Sequence, residues 1–512
     1  MKACRWTIAA GFSAMMAFLL GIVLTMKMPA RDLLLGQGTL CLLGLAALLA
    51  LSLLALREDK PCRPAARRGE AAFWLALFAL QAALCYFTYF MTGWDVDAIL
   101  GSAYALAGGS GTSVYRWYLR LYPNNVMLTL LFSWVMRLFR WLSPGAGLER
   151  CTYMLIVMQC ALNTLTGLMT SRIALKLTGS RRFSRLTAGV YAVFVGISPW
   201  LMIPYSDSMT LVFSVAVLLV YAADAWRGAG KWLLIGLLTG VGTLIKPQAA
   251  IVTIALLIVE GMRAVSERRK AGFAVHAGCV LAVIAVLVGP VNDAIIARSG
   301  IGVDRSASLG PTHFLMMGLN ERTHGMYSGE DVSRSTEVED PVARRQMQKE
   351  EIASRLRAMG PDGLARHLLA KMRVNYGDGS FAWAGEGSFF QQMIDDKDGL
   401  LSPLLKTAVG CYGDSASYRA LLSWLQAIWL ALLAGGSGMA LCYAGARGDG
   451  KRRDLMLTAM LALGGLTLFV MLFEARARYL YAYAPLYLLT GLCGLRAAAS
   501  GIVGMMKRLA RK

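Results

Sequence analysis

The chain returns again and again to apolar runs long enough to cross a bilayer, and that recurrence decides its class. About 18 or more consecutive apolar residues mark a membrane-spanning helix, and "WTIAAGFSAMMAFLLGIVL" is the first of many. Thirteen apolar segments can be read, near 5–26, 33–56, 71–91, 123–142, 151–176, 184–203, 207–225, 231–246, 248–264, 271–290, 420–444, 453–472 and 479–499. With 56% hydrophobic and only 16% charged residues among 512, a soluble globule could not hide the apolar surface. No convincing small-residue cleavage site follows the first run, so it is expected to stay as a helix.

The formal charge of +21 raises the question of nucleic acid, and its placement answers it. The hydrophilic stretch 291–419 holds 17 acids and 15 bases, leaving 14 acids against 37 bases elsewhere, mostly in short connections between apolar runs. That is the positive-inside pattern of a membrane protein, and it argues against nucleic acid as a partner. Most of the ten cysteines (Cys41, Cys85, Cys160, Cys279, Cys442, Cys493) lie in apolar runs, and no C-x-x-C pair occurs. A zinc site or a disulfide scaffold is not expected.

Basic connections sit at 57–68, 172–185, 263–270 and 447–453, and the tail is basic too. Placing all of them and the N-terminus inside requires an even number of crossings, whereas thirteen is odd. The parity is restored if 123–142 does not fully cross. The acidic loop 92–122, the turn at 204–207, the hinge at 246–247, the stretch 291–419 and "FEARARY" then fall outside. The expected architecture is an all-α polytopic membrane protein of 12 to 13 hydrophobic helices with a small, mainly helical extracytoplasmic domain. Two additional N-terminal helices occupy 1–70, a transmembrane core 71–290, the outer domain 291–419, and the last helices with a basic cytoplasmic tail 420–512. Within the outer domain, Asp340-Pro341 starts one helix, Gly360 stops it, and a second ends at Gly377.

Nearly every polar residue of interest then falls on the outer side. The loop at 92–122 opens with Trp94-Asp95-Val96-Asp97. Tyr205-Ser206-Asp207 stands at a helix-to-helix turn, and Lys246-Pro247 interrupts an apolar run. Glu474, Arg476 and Arg478 lie between the last two spanning segments. Each has a plain explanation alone. An Asp-x-Asp pair arises by chance, Asp207 is a good helix cap, Lys246 can reach to headgroups, and Glu474 with Arg478, four apart, suits a helical ion pair. The arginines resist that treatment, because outer positive charge opposes the topology signal and charge at membrane depth marks function. Carboxylates can act as a base on a hydroxyl or hold a divalent cation. Arginines and a lysine at the lipid boundary suit a phosphate.

Seven stretches carry a resemblance: "GWDVDA", "YPNNVMLTLLF", "PYSDSMTLVF", "GVGTLIKPQAAIV", "GPTHFLMMGLNERTHGMYSGED", "KMRVNYGDGSFAW" and "FEARARYLYAYAPLY", in that order between 71 and 499. Together they resemble the type C glycosyltransferases (GT-C), in particular bacterial members of the protein-O-mannosyltransferase-like group called glycosyltransferase family 39. The resemblance implies a polyprenyl-phosphate-linked sugar as donor and a glycan, lipid or protein acceptor, with transfer on the outer face of the cell membrane. It also implies an acid of the first outer loop as base. Carried over by position, Asp95 is the leading base, and Asp97 its helper. The pair is also the place for a divalent cation, magnesium or manganese, should one be used. Tyr205 and Asp207 would face the same cavity, with Tyr122, Asn124 and Asn125 lining it near the loop. Lys246, Arg476 and Arg478, with Tyr479, would be the donor-phosphate candidates. His313, Asn320 and Tyr327 belong to an outer-domain motif that covers the acceptor or serves the domain's own structure. The first loop departs from the Asp-Glu pair of eukaryotic O-mannosyltransferases, two extra helices precede it, and no lectin-like module is evident. The rival readings are a transporter or flippase of lipid-linked sugars, and a ligase or polymerase that moves a whole glycan.

Overall fold

In a bilayer, a helix is the one single segment that satisfies all its own backbone polar groups, and the apolar runs of this chain fold accordingly. The computed structural model describes residues 2–25, 33–56, 64–109, 116–223, 225, 228–301, 303–387, 389–446 and 450–510. Among these, ten helices are long and apolar enough to cross a membrane. They begin with Lys2–Thr25, Gln37–Ala55 and Pro64–Thr88 and end with Ala416–Gly436, Gly450–Leu472 and Ala484–Leu509, the last extended at its start by a tight turn from Ala477. Two shorter pieces complete the bundle. Ser206–Ala222 is a single apolar helix, and Arg181–Tyr191 continues through a widened turn to Pro199–Met202.

Side-chain contacts fix which ends lie together. Arg172 pairs with Glu70 at 2.9 Å, while the Tyr89 and Tyr153 rings meet at 5.3 Å at the other end of the same two helices. Helices Pro64–Thr88 and Leu148–Thr178 are therefore antiparallel, and the chain between them leaves and re-enters at one end. The apolar segment at 123–142 consequently does not run through the bundle, and twelve segments do. It forms Val126–Leu142, whose exposed stripe of Trp134, Leu138, Trp141 and Leu142 is the face of an interfacial helix. Its two arginines turn the other way. Arg137 donates to the Leu106 carbonyl at 2.7 Å and Arg140 to the Ala107 carbonyl at 3.2 Å. They cap the end of helix Trp94–Leu106, where a helix favours positive charge. The stretch at 92–122 is thus largely helical, with 110–115 outside the described residues.

The opposite end gathers charges from the basic connections: Arg5 lies 3.4 Å and Arg263 3.9 Å from buried Asp454. Residues 57–63, 447–449 and 511–512 of the expected basic stretches lie outside the described residues.

The stretch at 291–419 is less separate than its polarity suggested. A membrane helix crosses its expected start, since Lys270–Ser299 runs past 291 over a break at Gly289-Pro290. At the far side, strand β1 (Phe90–Thr92) pairs antiparallel with β2 (Phe390–Met393), tying the stretch to the acidic helix. Between them lies the expected helix. Asp340 accepts from the Ala343 amide at 2.6 Å as its cap, Pro341 follows, and the helix kinks at Gly360 (φ +58°) before ending at Tyr376.

These contacts predict sidedness. In a cysteine-free background, Gly145→Cys and Tyr327→Cys should react with a membrane-impermeant maleimide from one side, and Arg268→Cys from the other. Labelling of Gly145→Cys and Tyr327→Cys from opposite sides would mean that Val126–Leu142 crosses.

Candidate functional site

Gly93 ends the short strand where an added Cβ would lie 2.4 Å from the Phe389 ring, so the turn into the next helix needs glycine. Trp94 follows with φ +48°, a costly conformation for a bulky residue. Packing holds it there. The Trp94 ring meets Tyr205 edge-on at 5.1 Å and lies under the Arg478 guanidinium at 4.4 Å.

Asp95 stands in the first turn of helix Trp94–Leu106, where the helix dipole favours an anion. The Tyr205 hydroxyl donates to its Oδ2 at 3.0 Å. The Tyr118 hydroxyl lies near the same acid: burial and then the Asp95 charge push that phenol well above its ordinary pKa. Asn125 supports Tyr118 at 2.5 Å, and Asn124 supports Asn125 at 3.3 Å. The two asparagines thus brace a tyrosine that lies near the acid. Asp97 is two residues on, nearly opposite around a helix. The pair cannot close on one cation as a chelate, and among the described residues no group of three or more His, Cys, Asp or Glu could hold a metal. A shared cation at Asp95 and Asp97 does not fit this arrangement.

The cations converge from three directions. Helix Ser206–Ala222 begins with Tyr205 as its cap residue, and Asp207 is turned inward, not capping. Buried Asp207 accepts from Lys246, which breaks the helical run before Pro247 and lies 4.5 Å over the Tyr479 ring. Lys246 therefore reaches into protein rather than to headgroups. The Arg478 Nε lies 3.8 Å from Asp207 and 3.3 Å from Glu386. Arg476 pairs with Glu474 at 2.7 Å and with Glu386 at 2.7 Å, and Tyr479 donates to Glu474 at 3.0 Å.

The expected helical pair of Glu474 and Arg478 does not form. Residues 473–476 are not helical, so the i, i+4 geometry is lost. That segment is held from the side. Lys371 donates to the carbonyls of Gly318, Met471 and Phe473 at 2.8, 2.7 and 2.7 Å, and Asn375 accepts from the Arg476 amide at 3.0 Å.

Tyr122 packs on Tyr118 at 5.1 Å, and exposed Tyr327 lies 5.7 Å from the Arg476 guanidinium. Both border the cluster. His313 and Asn320 do not reach it. His313 is fully buried, bonded to Ser335 at 2.9 Å, and burial lowers its pKa to about 4, so it is a neutral core histidine. Asn320 bonds to Asp331 at 3.0 Å and to Ser328 at 3.3 Å. Both serve the structure of the outer stretch. Sequence reasoning missed Glu386, Tyr118 and the role of Trp94. Glu386 could have been suspected as the lone charge in "FAWAGEG"; nothing about Tyr118 stands out before folding.

The family described as conserved hypothetical integral membrane protein matches residues 40–499. The chain belongs to that family. Its description speaks of residence in the membrane, so any reaction has to be argued from the side chains. A comparison with curated proteins finds no match.

Removing one partner of a buried pair strands the other charge. Lys246→Met should therefore destabilise the protein by about 3–5 kcal/mol, while Lys246→Met with Asp207→Asn recovers most of that. Thermal unfolding in detergent reads both; additive losses would contradict the pairing.

Proposed function

We propose that this protein is a membrane glycosyltransferase of the GT-C type, moving a sugar from a polyprenyl-phosphate donor to an acceptor hydroxyl on a glycan, lipid or protein. The proposed location is the outer face of the cell membrane, a reading supported by the positive-inside rule, since charges of the basic connections lie at the other end of the bundle. One observation carries the reading: a single tyrosine, Tyr205, touches both halves of the required chemistry. Its hydroxyl donates to Asp95 at 3.0 Å, and its ring lies 5.2 Å from the Arg478 guanidinium.

In this reaction the acceptor oxygen attacks the anomeric carbon as Asp95 takes its proton. The bond from that carbon to the phosphate oxygen breaks, and the lipid phosphate leaves with the electron pair. The Tyr205 phenol and a helix N-terminus hold the carboxylate in one place, with Tyr118 nearby, which suits a general base. Arg478 and Arg476, with Lys246 behind them, stabilise charge growing on the phosphate in a site poor in water. Tyr122 and Tyr327, at the border, are the surfaces an incoming acceptor would meet. A transporter would need the same cations but not a carboxylate so firmly braced.

Purified protein given polyprenyl-phosphate sugars should release the free lipid phosphate. Asp95→Asn should lower release by about 10²–10⁴-fold while the protein stays folded; near-normal activity would remove Asp95 from the role. Arg478→Ala should raise the donor KM or cost about 10²–10³-fold in turnover, and an unchanged donor dependence would remove Arg478. Movement of intact donor across vesicles without cleavage would favour transport instead.

A further inference from the structure

Glu386 enters the cluster on an unusual piece of chain. Residues 377–383 thread between bundle segments and are anchored by side chains. Gln426 accepts from the Gly379 amide at 2.7 Å, Trp200 donates to the Ser380 carbonyl at 3.0 Å, and Trp383 donates to the Val409 carbonyl at 2.9 Å. Phe381 and Ala382 adopt φ of +55° and +65°, a strain accepted only where packing dictates the path. Past Trp383 the chain reads Ala384-Gly385-Glu386-Gly387, so the acid sits between two glycines. Buried Gly387 packs so closely on the Trp383 ring that an added Cβ would lie 2.0 Å from it, whereas Gly385 is exposed, so the acid's latitude lies on the Gly385 side of a short turn.

The other two carboxylates each make at least one aligned hydrogen bond to a cation, although Asp207 Oδ2, 3.8 Å from Arg478, has none of its own. Asp207 holds Lys246, and Glu474 accepts from the Arg476 Nε and the Tyr479 hydroxyl. Glu386 is shared: one oxygen, Oε2, lies 2.7 Å from Arg476 Nη1 and 3.3 Å from Arg478 Nε. The fit is poor. Glu386 Oε2 and the Arg478 Nε and Nη1 are all buried with no aligned hydrogen bond among the described residues. The attraction is therefore Coulombic, and the directional donors of a nearly buried guanidinium go unused. A phosphate brings several acceptor oxygens to the same fork and can satisfy it bidentately.

We infer that Glu386 is an internal stand-in for the ligand's phosphate, neutralising Arg476 and Arg478 when the site is empty and swinging out, as its short turn opens at Gly385, when a phosphate arrives. This rests on the lipid-phosphate reading above. A buried guanidinium, that of Arg478, beside the half-buried Arg476 needs a counter-charge at all times. A tethered carboxylate supplies it, and competes with weak anions that lack a lipid chain to add to their affinity. The cost is that the site binds only when Glu386 is out, so apparent affinity falls by the fraction open.

The test uses the full-length protein in lipid nanodiscs and two probes, farnesyl phosphate and inorganic phosphate. Glu386→Gln keeps shape but loses charge, and should bind farnesyl phosphate about tenfold or more tightly than wild type, as expected for a minor open state of about 10% or less. Gain with farnesyl phosphate alone assigns a lipid phosphate; gain with both probes assigns the phosphate group itself. Glu474→Gln should show no such gain, and an equal gain there would reduce the effect to general electrostatics and overturn the assignment. Wild-type binding with unchanged or weaker binding in Glu386→Gln overturns the inference alone. Binding by neither protein overturns the lipid-phosphate reading as well. Hydrogen exchange on wild-type protein covers the case in which Glu386→Gln does not fold. Residues 383–387 should exchange faster with farnesyl phosphate bound, and unchanged or slower exchange contradicts displacement.

Discussion

A guanidinium sunk among aromatic rings at the end of an apolar bundle cannot stay there uncompensated, and much of this structure is arranged around Arg478. Asp207 and Glu386 supply charge, and Trp94, Tyr205 and Tyr479 supply π faces at 4.4, 5.2 and 5.7 Å. Several residues of the cluster sit where a helix begins or an apolar run is broken. Trp94 opens a helix at positive φ, Tyr205 caps another, and Lys246 divides a third apolar run. The breaks are tolerated because they face protein rather than lipid, where an unsatisfied backbone would be expensive.

That arrangement joins fold to function. The interfacial helix Val126–Leu142 keeps its tryptophans outward while its arginines cap the helix that carries Asp95. The acid is thereby fixed near the headgroup level, where a lipid-linked substrate would present its phosphate. Lys371 and Asn375 do the same for the segment carrying Glu474 and Arg476, from a helix of the outer stretch. Asp95, the base of the proposed reaction, and the cations across from it are thus positioned by two separate supports, and the β1–β2 pairing ties the outer stretch to the acidic helix.

What the sequence reveals follows from the range of the forces involved. Apolar length and capping residues are local signals. Gly360, expected as a stop, marks a kink, but the long helices and the cap at Asp340 were legible. So were the charges that gather, because a charge in an apolar context is conspicuous wherever its partner lies. The partners themselves were not. Asp95 and Tyr205 are 110 positions apart, and Glu386 reaches Arg478 from another part of the chain. Spacing pointed to a Glu474–Arg478 helical pair, but the carbonyl clamp of Lys371 holds that segment out of helix. Likewise Asp97 looked equivalent to Asp95 only while the stretch was read as loop; in a helix the two diverge. The breadth of the polar stretch 291–419 suggested a separate domain, and nothing local announced that its residues 377–393 return to the bundle.

The central claim is that the paired arginines and Asp95 meet opposite ends of one lipid-linked sugar. Native mass spectrometry of protein extracted from its own membranes tests it most directly. The account predicts that Asp95→Asn carries a polyprenyl-phosphate sugar, trapped because its base is gone, and that Arg478→Ala carries none. Finding only bulk phospholipid on both variants would contradict it.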